Sequence, residues 1–196
     1  MKHEFTRRGL LLGMALVASG CMPAVRQAGV ADSLAPNRRF SVNPRYRRQR
    51  VRYDGSESPG AIVVDTADKF LYFVEGDGWA TRYGVGVGQE GLSLKGQATI
   101  GRKAVWPSWT PTANMMRRKP HLAKYAGGVS GGPNNPLGAR ALYLYRGGND
   151  TMFRLHGTNE PWSIGRAMSS GCVRLLNEDI AHLYDRTAVG ATVLVI

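Results

Sequence analysis

Short apolar runs separated by turn-forming residues set the pattern of the chain from about residue 58 onward. Residues 61–64 and 70–74 are apolar and are joined by five mostly polar residues, a spacing typical of a β-hairpin. Residues 75–78 form a glycine-containing turn before residues 79–87, where apolar side chains come to alternate with glycine. Further runs that favour strands occupy residues 141–145, 152–155 and 192–196.

One helix is predicted after position 176. Asn177 is a favoured N-cap residue, and two acidic residues follow it in the first turn. Gly190 can end the helix in the left-handed conformation, and His182 is expected on its exposed side. The apolar face consists of Ile180, Leu183 and Tyr184. This helix should hold the turn that precedes it in place.

Residues 110–137 form a long stretch rich in glycine and proline between predicted strands. Long irregular segments inside a compact domain often serve as binding loops or lids. We therefore expect this segment to lie over a substrate groove, with an ordinary surface loop as the alternative. With 25 glycines, a fold made only of helices is disfavoured.

The chain has 196 residues and a net charge of +12, and the excess is concentrated near the N-terminus. Residues 22–57 are rich in arginine and polar side chains and show no period that would bury one face. We interpret them as a flexible basic tether ahead of a single domain at residues 58–196. Such a tether would attract nucleic acid inside the cell, or anionic lipids and wall polymers outside it.

Residues 1–21 have the three parts of an export signal: a basic head, a short apolar stretch and small residues ending at Cys21. Arg7 and Arg8 resemble a twin-arginine signal, although an ordinary basic head is the alternative. The residues before Cys21 resemble a lipobox, with Ala18 where leucine is commonest. The expected location is thus the periplasm or cell envelope, with a membrane anchor on Cys21 and no nucleic-acid partner.

Cys172 is the one remaining thiol if Cys21 is lipidated. His156 ends a predicted strand, and Cys172 follows it by 16 residues in a small-residue turn. An imidazole that takes the thiol proton makes cysteine a nucleophile for acyl transfer. Backbone amides at Ser170 and Gly171 could stabilise an oxyanion. A chance pair and a buried structural cysteine remain alternatives, and the histidines show no zinc-ligand spacing.

Residues 156–158 (His-Gly-Thr) and 169–175 (Ser-Ser-Gly-Cys-Val-Arg-Leu), followed by 177–179 (Asn-Glu-Asp), resemble the signature of the L,D-transpeptidase catalytic domain of the YkuD type, in its ErfK/YbiS branch. Residues 109–112 and 132–138 are similar to segments that precede the motif. The resemblance covers roughly residues 59–196. It implies a mainly β fold, a β-sandwich or barrel, with a short helix after the catalytic loop and a long lid loop.

The resemblance also implies a function in peptidoglycan metabolism. Cys172 would accept an acyl group from a tetrapeptide stem as a thioester and pass it to an amine, such as a wall peptide, a lipoprotein or an outer-membrane protein. His156 would be the base, oriented by the carbonyl of Gly157, and amides near Gly171 would form the oxyanion hole. No cofactor or metal is expected. Substrate contacts are expected from Arg174, Ser170, Thr158 and Asn135, although Arg174 could instead brace the loop.

One departure from the family pattern and two alternative functions leave the assignment open. Ser170 stands where many members carry a second histidine, so a relay through that imidazole is in doubt. Papain-like enzymes are disfavoured because they place the cysteine before the histidine. L,D-carboxypeptidase activity, in which water is the acceptor, remains an alternative, and so does a silent peptidoglycan-binding lipoprotein.

Overall fold

The structure is a computed structural model that describes residues 41–89 and 94–196. Its strands form one large sheet and one small parallel pair. The strands are β1 (Gln49–Arg52), β2 (Ile62–Asp65), β3 (Phe70–Gly76), β4 (Trp79–Gly84), β5 (Val87–Gly88), β6 (Gly96–Val105), β7 (Arg140–Arg146), β8 (Asn149–His156), β9 (Ala167–Ser169), β10 (Val173–Arg174) and β11 (Thr192–Val195). The helices are α1 (Ala113–Arg118) and α2 (Asn177–Arg186), with 3₁₀ turns at Pro44–Tyr46, Pro120–Tyr125 and Pro161–Ser163.

The large sheet has nine strands in the order β1-β4-β3-β2-β11-β6-β7-β8-β10. The predicted hairpin is confirmed, since β2 and β3 pair in antiparallel register. The last strand, β11, lies between β2 and β6, parallel to the first and antiparallel to the second. Ile62, Val64 and Val193 on these strands are fully buried. The core is thus assembled around a strand from the C-terminal end of the chain.

The longest strand, β6, has no strong signal in the sequence. Only Ala98 and Ile100 of its ten residues are buried, so the apolar alternation that marks a strand is confined to its first half. Its partners β11 and β7 supply the rest of the ladder. Contacts with distant segments therefore determine this strand.

The helix α2 confirms the predicted apolar face, because Ile180 and Leu183 are fully buried. Three details of the prediction are wrong. The N-cap position is Leu176 rather than Asn177. The helix ends at Arg186, four residues before Gly190, whose φ of +91° serves the turn into β11. His182 is partly buried, and its Nδ1 lies 2.8 Å from the Tyr83 hydroxyl.

The N-terminal segment of the described chain is part of the domain. Gln49–Arg52 pairs with β4 as the edge strand β1, and Val42 is buried against Ile164 and Leu176. The prediction of a flexible tether is therefore wrong for residues 42–52. Its few apolar residues give no periodic signal, and the buried Val42 packs on partners more than 100 positions away. The predicted export signal, Cys21 and the tether up to residue 40 lie outside the described residues.

The segment at residues 110–137 is more regular than its composition indicates. Thr112 caps α1, its Oγ1 accepting the Met115 N–H at 3.2 Å. Trp109 and Val129 exchange two backbone hydrogen bonds of 2.9 and 2.7 Å, which close the base of the loop. The loop forms one wall of a groove described below, as predicted.

None of the helices in residues 41–89 and 94–196 is both long and apolar enough to cross a membrane.

Candidate active site

His156 is the last residue of β8 and is 4% exposed. Its Nδ1 lies 2.5 Å from the carbonyl oxygen of Gly157. A carbonyl only accepts, so Nδ1 carries the proton and Nε2 of the neutral ring keeps its lone pair. The hydrogen bond from His156 to Gly157, expected from the resemblance, is thus present. In this tautomer Nε2 is the ring nitrogen that could accept a proton.

Asn177 fixes the backbone around His156. Its Oδ1 accepts the N–H of Ala139 at 3.0 Å and the N–H of Thr158 at 3.2 Å. A Cβ on Gly138 or on Gly157 would come within 2.2 Å of this oxygen, so both positions require glycine. The side chain that sequence reasoning assigned to a helix cap therefore joins the loop before β7 to the loop after β8.

Cys172 is brought beside β8 by parallel pairing of β10 with that strand, in the register Val173 to Leu155. The thiol is partly buried, and its sulfur lies 3.9 Å from the carbonyl oxygen of Met152. Met152 has a φ of 64° and lies where the β7–β8 register shifts. Irregular positions of this kind change the direction in which side chains and backbone groups point at the edge of a sheet. Here the irregularity places a carbonyl acceptor next to the thiol.

The turn that carries Cys172 is held by Ser169. The Ser169 hydroxyl donates to the Cys172 carbonyl at 2.5 Å and accepts the Gly171 N–H at 3.2 Å. Gly171 has a φ of 131°, which side chains rarely tolerate. The Gly171 amide is thus occupied in this structure, whereas the Cys172 N–H has no acceptor within residues 41–89 and 94–196. The amide of Cys172 is the better candidate donor for an oxyanion.

Cys172 and His156 line the same groove, which has a volume of about 1290 Å³. In the described part of the chain the thiol hydrogen-bonds to Met152, and no hydrogen bond joins it to the imidazole. Catalytic pairs are often loose before substrate binds. The sulfur would have to turn away from the Met152 carbonyl before it could bond to the imidazole.

The ionisation of both groups is set by burial. Burial, and next the Arg174 charge, lower the pKa of His156 to about 3. Burial also raises the pKa of the Cys172 thiol, although the nearby Arg154 and Arg174 charges oppose that rise. The resting pair at neutral pH is therefore a neutral thiol and a neutral imidazole. A nucleophilic role for this thiol would require its proton to move to a base.

The groove is strongly basic. Arg174 pairs with Glu160 at 2.7 Å, and Arg154 pairs with Asp150 at 2.8 Å. The other cationic side chains of the groove form no ion pair within the described residues. These unpaired side chains are Arg102, Arg118, Lys119 and Lys124. The groove can therefore attract an anionic ligand.

Two of the four predicted substrate contacts, Asn135 and Thr158, lie outside the groove. Asn135 is 1% exposed, and its amide bonds to Val129, Ser130 and Leu137 inside the lid loop. Thr158 is 4% exposed and accepts the Glu160 N–H. Neither lines the groove in this conformation, so the structure gives no support for a substrate contact at either position. Ser170 does line it.

Arg174 lines the groove and pairs with Glu160. That pair is the bracing contact weighed for it, and a contact with substrate stays a prediction. Sequence reasoning missed the parts played by Ser169, Asn177 and Glu160, although all three lie within or close to the motif. Their roles depend on backbone partners that only the fold brings near. No group of three or more metal-ligating side chains occurs in the parts of the chain that the structure describes.

A family model for the L,D-transpeptidase catalytic domain, YkuD, matches residues 59–196. The probable L,D-transpeptidase ErfK/SrfK of Escherichia coli K12 is 37% identical over 142 residues, covering 69% of this chain and 43% of that protein. The chain thus spans less than half the length of this relative. A Fuscovulum blasticum protein named as a putative L,D-transpeptidase in ATP synthase subunits region ORF 5 is 33% identical over 196 residues, covering 97% of this chain and 96% of that one.

Two solved structures resemble the chain. A Brucella melitensis protein named as a probable carnitine operon oxidoreductase, caia, is 47% identical with a TM-score of 0.54, covering 79% of this chain and 96% of that one. That name describes a different activity from those of the other relatives. An L,D-transpeptidase of Mycobacterium smegmatis has a TM-score of 0.52 at 17% identity, covering 69% of this chain and 58% of that one. Its likeness supports the mainly β fold.

Proposed function

The chain belongs to the L,D-transpeptidase catalytic-domain family, and on that premise we propose that it is a peptidoglycan L,D-transpeptidase that works through a thioester on Cys172. The observation that carries the proposal is the shared groove of Cys172 and His156, with Nδ1 of the imidazole held by the Gly157 carbonyl. That arrangement provides a nucleophile and a base whose free nitrogen is unprotonated at neutral pH.

The first step is acylation. The sulfur leaves the Met152 carbonyl and attacks the carbonyl carbon of the bond before the terminal D-amino acid of a tetrapeptide stem, while Nε2 of His156 takes the thiol proton. The Cys172 N–H, which has no acceptor within residues 41–89 and 94–196, stabilises the oxyanion. Collapse of the intermediate breaks the peptide bond. The D-amino acid leaves with the proton from His156, and the acyl group remains as a thioester.

The second step regenerates the enzyme. An amine attacks the thioester carbonyl, His156 takes the amine proton, and the thiolate leaves and is reprotonated by the imidazole. A new amide forms, and no cofactor is consumed. The amine would belong to a second wall peptide, a lipoprotein or an outer-membrane protein. If water takes its place, the same enzyme acts as an L,D-carboxypeptidase.

Charge favours such substrates, because peptide stems carry free carboxylates. Four cationic side chains of the groove, Arg102, Arg118, Lys119 and Lys124, form no ion pair within the described ranges. The Arg154 and Arg174 charges near Cys172 would also favour the thiolate and the oxyanion over their neutral forms. The groove thus supports both binding and chemistry on an anionic peptide.

The test is mass spectrometry of tetrapeptide muropeptides incubated with the full chain and with Cys172→Ala. The wild type should release the terminal D-amino acid and form a covalent adduct at Cys172, and the variant should do neither. A product joined to an amine identifies a transpeptidase, whereas a free tripeptide identifies a carboxypeptidase. Binding without any chemical change, with Cys172 reduced, would contradict the proposal and identify a silent binding protein.

For location, we propose that the chain works outside the cytoplasm, anchored through a lipidated Cys21, with its basic N-terminal residues attracted to anionic membrane or wall surfaces. The support is the signal-like sequence of residues 1–21 and the charge of residues 22–57. Labelling with a radioactive fatty acid tests it. Wild type should be labelled and Cys21→Ser should not, and an unlabelled wild type would contradict the anchor.

A further inference from the structure

The Cys172 turn lies at the end of a weakly paired segment. Residues 157–172 connect β8 to β10, and β10 contains only two residues. So short a strand offers few ladder hydrogen bonds, although the position of a nucleophile must be held closely for catalysis. Support for the turn must therefore come from elsewhere in the fold.

The first support is the backbone of residues 84–89. Its backbone groups form hydrogen bonds with residues on both sides of Cys172 in the chain. The segment 157–172 is called the catalytic loop below. Gly86 exchanges bonds of 2.9 and 2.7 Å with Arg174, which follows the nucleophile. Val87 and Gln89 donate to Arg166 and Ser169, which precede it. Residues 84–89 therefore link the residues that precede Cys172 to those that follow it. The position of Cys172 thus depends on what holds residues 84–89 in place.

We propose that residues 42–48, called the strap, hold both this backbone segment and the catalytic loop in position by packing against them. Tyr46 and Arg48 of the strap are positioning residues for Cys172. The matched family domain begins at residue 59, so the strap lies outside it. The strap is fixed to the sheet by β1, which follows it directly and pairs with β4.

Tyr46 makes the closest contact. A Cβ on Gly84 would lie 2.4 Å from the Cβ of Tyr46, and a Cβ on Gly165 would lie 2.4 Å from its ring. Gly84 starts the supporting backbone, and Gly165 lies in the catalytic loop, where its N–H donates to Val85 at 2.9 Å. The tyrosine therefore packs directly on both backbones at the point where they meet.

Two further contacts extend the strap along the loop. Val42 packs against Ile164, which lies in the loop, and against Leu176, which follows β10. Arg48 lies 3.3 Å from Asp179 in the first turn of α2. Asp179 is 2% exposed, and its second oxygen has no hydrogen-bond partner among the residues described. Arg48 is thus the positive charge beside a buried carboxylate immediately after the catalytic motif.

These contacts form a separate small cluster, since the main core does not include the strap. Weakening them should therefore loosen the loop while the core stays folded. The effect should appear at the thiol. A loosened turn moves the sulfur away from the Met152 carbonyl, changes its exposure and misplaces it for attack.

The experiment compares Tyr46→Ala with Tyr53→Ala in the full chain. Tyr53 lies in the same N-terminal segment but contacts Glu57 and Tyr72 instead of the catalytic loop. The readouts are melting temperature, the rate of Cys172 alkylation by iodoacetamide, and kcat and KM on muropeptides. We expect Tyr46→Ala to lower kcat about tenfold with little change in KM and to change the alkylation rate by about threefold or more. Tyr53→Ala should match wild type, and Tyr46→Phe should restore wild-type values because the ring makes the contact.

Equal alkylation rates in Tyr46→Ala, Tyr53→Ala and wild type would overturn the proposal. If Tyr46→Ala fails to fold, Arg48→Met takes its place, and a folded Arg48→Met with the wild-type alkylation rate would overturn it equally. The kcat readout rests on the proposed function, whereas alkylation does not. If wild type leaves muropeptides unchanged, the transpeptidase proposal is refuted. The alkylation rates still test whether the strap positions Cys172.

Discussion

Arginine side chains are concentrated at two regions of the molecule, but they are used differently. At the first, called the paired region, Glu75 on β3 accepts hydrogen bonds of 2.8 Å from Arg50 and 2.9 Å from Arg186. At the groove, Arg102 lies 3.5 Å from the centre of the Tyr143 ring and has no carboxylate partner within residues 41–89 and 94–196. Charge that is neutralised inside the protein stabilises the fold, whereas charge left unpaired in a groove is available to a ligand.

This comparison extends to titration. At the paired region the hydrogen bond from Thr81, followed by that from Arg50, lowers the pKa of Glu75 to about 2, so the charged form dominates. At the groove, burial lowers the pKa of His156 to about 3 and raises that of the Cys172 thiol, so the neutral forms dominate. Substitutions in the paired region should therefore change the stability of the fold, whereas substitutions in the groove should change activity.

The largest expected effect is that of His156→Gln. Glutamine can still donate to a carbonyl such as that of Gly157 but has no basic nitrogen, so turnover should fall by about 10² to 10⁴. The melting temperature should change little by comparison. The control is Glu75→Gln in the paired region, which should keep its turnover. Wild-type turnover in His156→Gln would mean that another group is the base.

The second prediction concerns the pH dependence of Cys172 alkylation by iodoacetamide. Because burial raises the pKa of the thiol and keeps the imidazole neutral, the rate should rise about tenfold per pH unit from pH 6 to 8, following the thiolate fraction. A preformed thiolate–imidazolium pair would instead give a plateau over that range. Stopped-flow alkylation of the full chain distinguishes the two, with Cys172→Ala correcting for other sites.

The sequence predicts those structural features whose interacting residues are close together in the chain. The β2–β3 hairpin and the apolar face of α2 are local patterns, and both are confirmed. The pairing of β11 with β2 and the strand β1 depend on residues far apart in the chain. Local periodicity carries no information about such partners.

The same distinction holds in the site. The carbonyl that orients His156 belongs to the next residue, and that hydrogen bond is confirmed. Asn177 has the ordinary signature of an N-cap, but its side chain instead joins Ala139 to Thr158. Asn135 is a plausible ligand contact in a glycine-rich loop, yet its amide is used entirely inside that loop. Both side chains are thus used by the backbone around the motif, a role that local sequence does not reveal.

The third prediction is for Glu75→Gln. It should lower the free energy of unfolding by about 1–3 kcal/mol at pH 7, because two arginines lose a charged partner. The pKa of Glu75 falls from 4.5 unfolded to about 2 folded, so its contribution is complete above pH 4.5 and is lost as pH falls through about 2. Urea denaturation at pH 7 and pH 3 should show the difference shrinking at the lower pH. The exposed Asp77→Asn is the control, and an equal loss in both variants would contradict the prediction.

The smallest expected effect belongs to Arg102→Gln. If its unpaired charge binds an anionic stem, the variant should raise KM by roughly fivefold, or about 1 kcal/mol, with kcat unchanged. Added salt should raise the KM of wild type more than that of the variant, because screening removes the same attraction. The matched control is Arg52→Gln, since Arg52 also stacks on an aromatic ring, 4.1 Å from the centre of Trp79, but outside the groove. Equal KM values in both variants would show that unpaired charge in the groove does not select the substrate, and the contrast between the two regions would then concern stability alone.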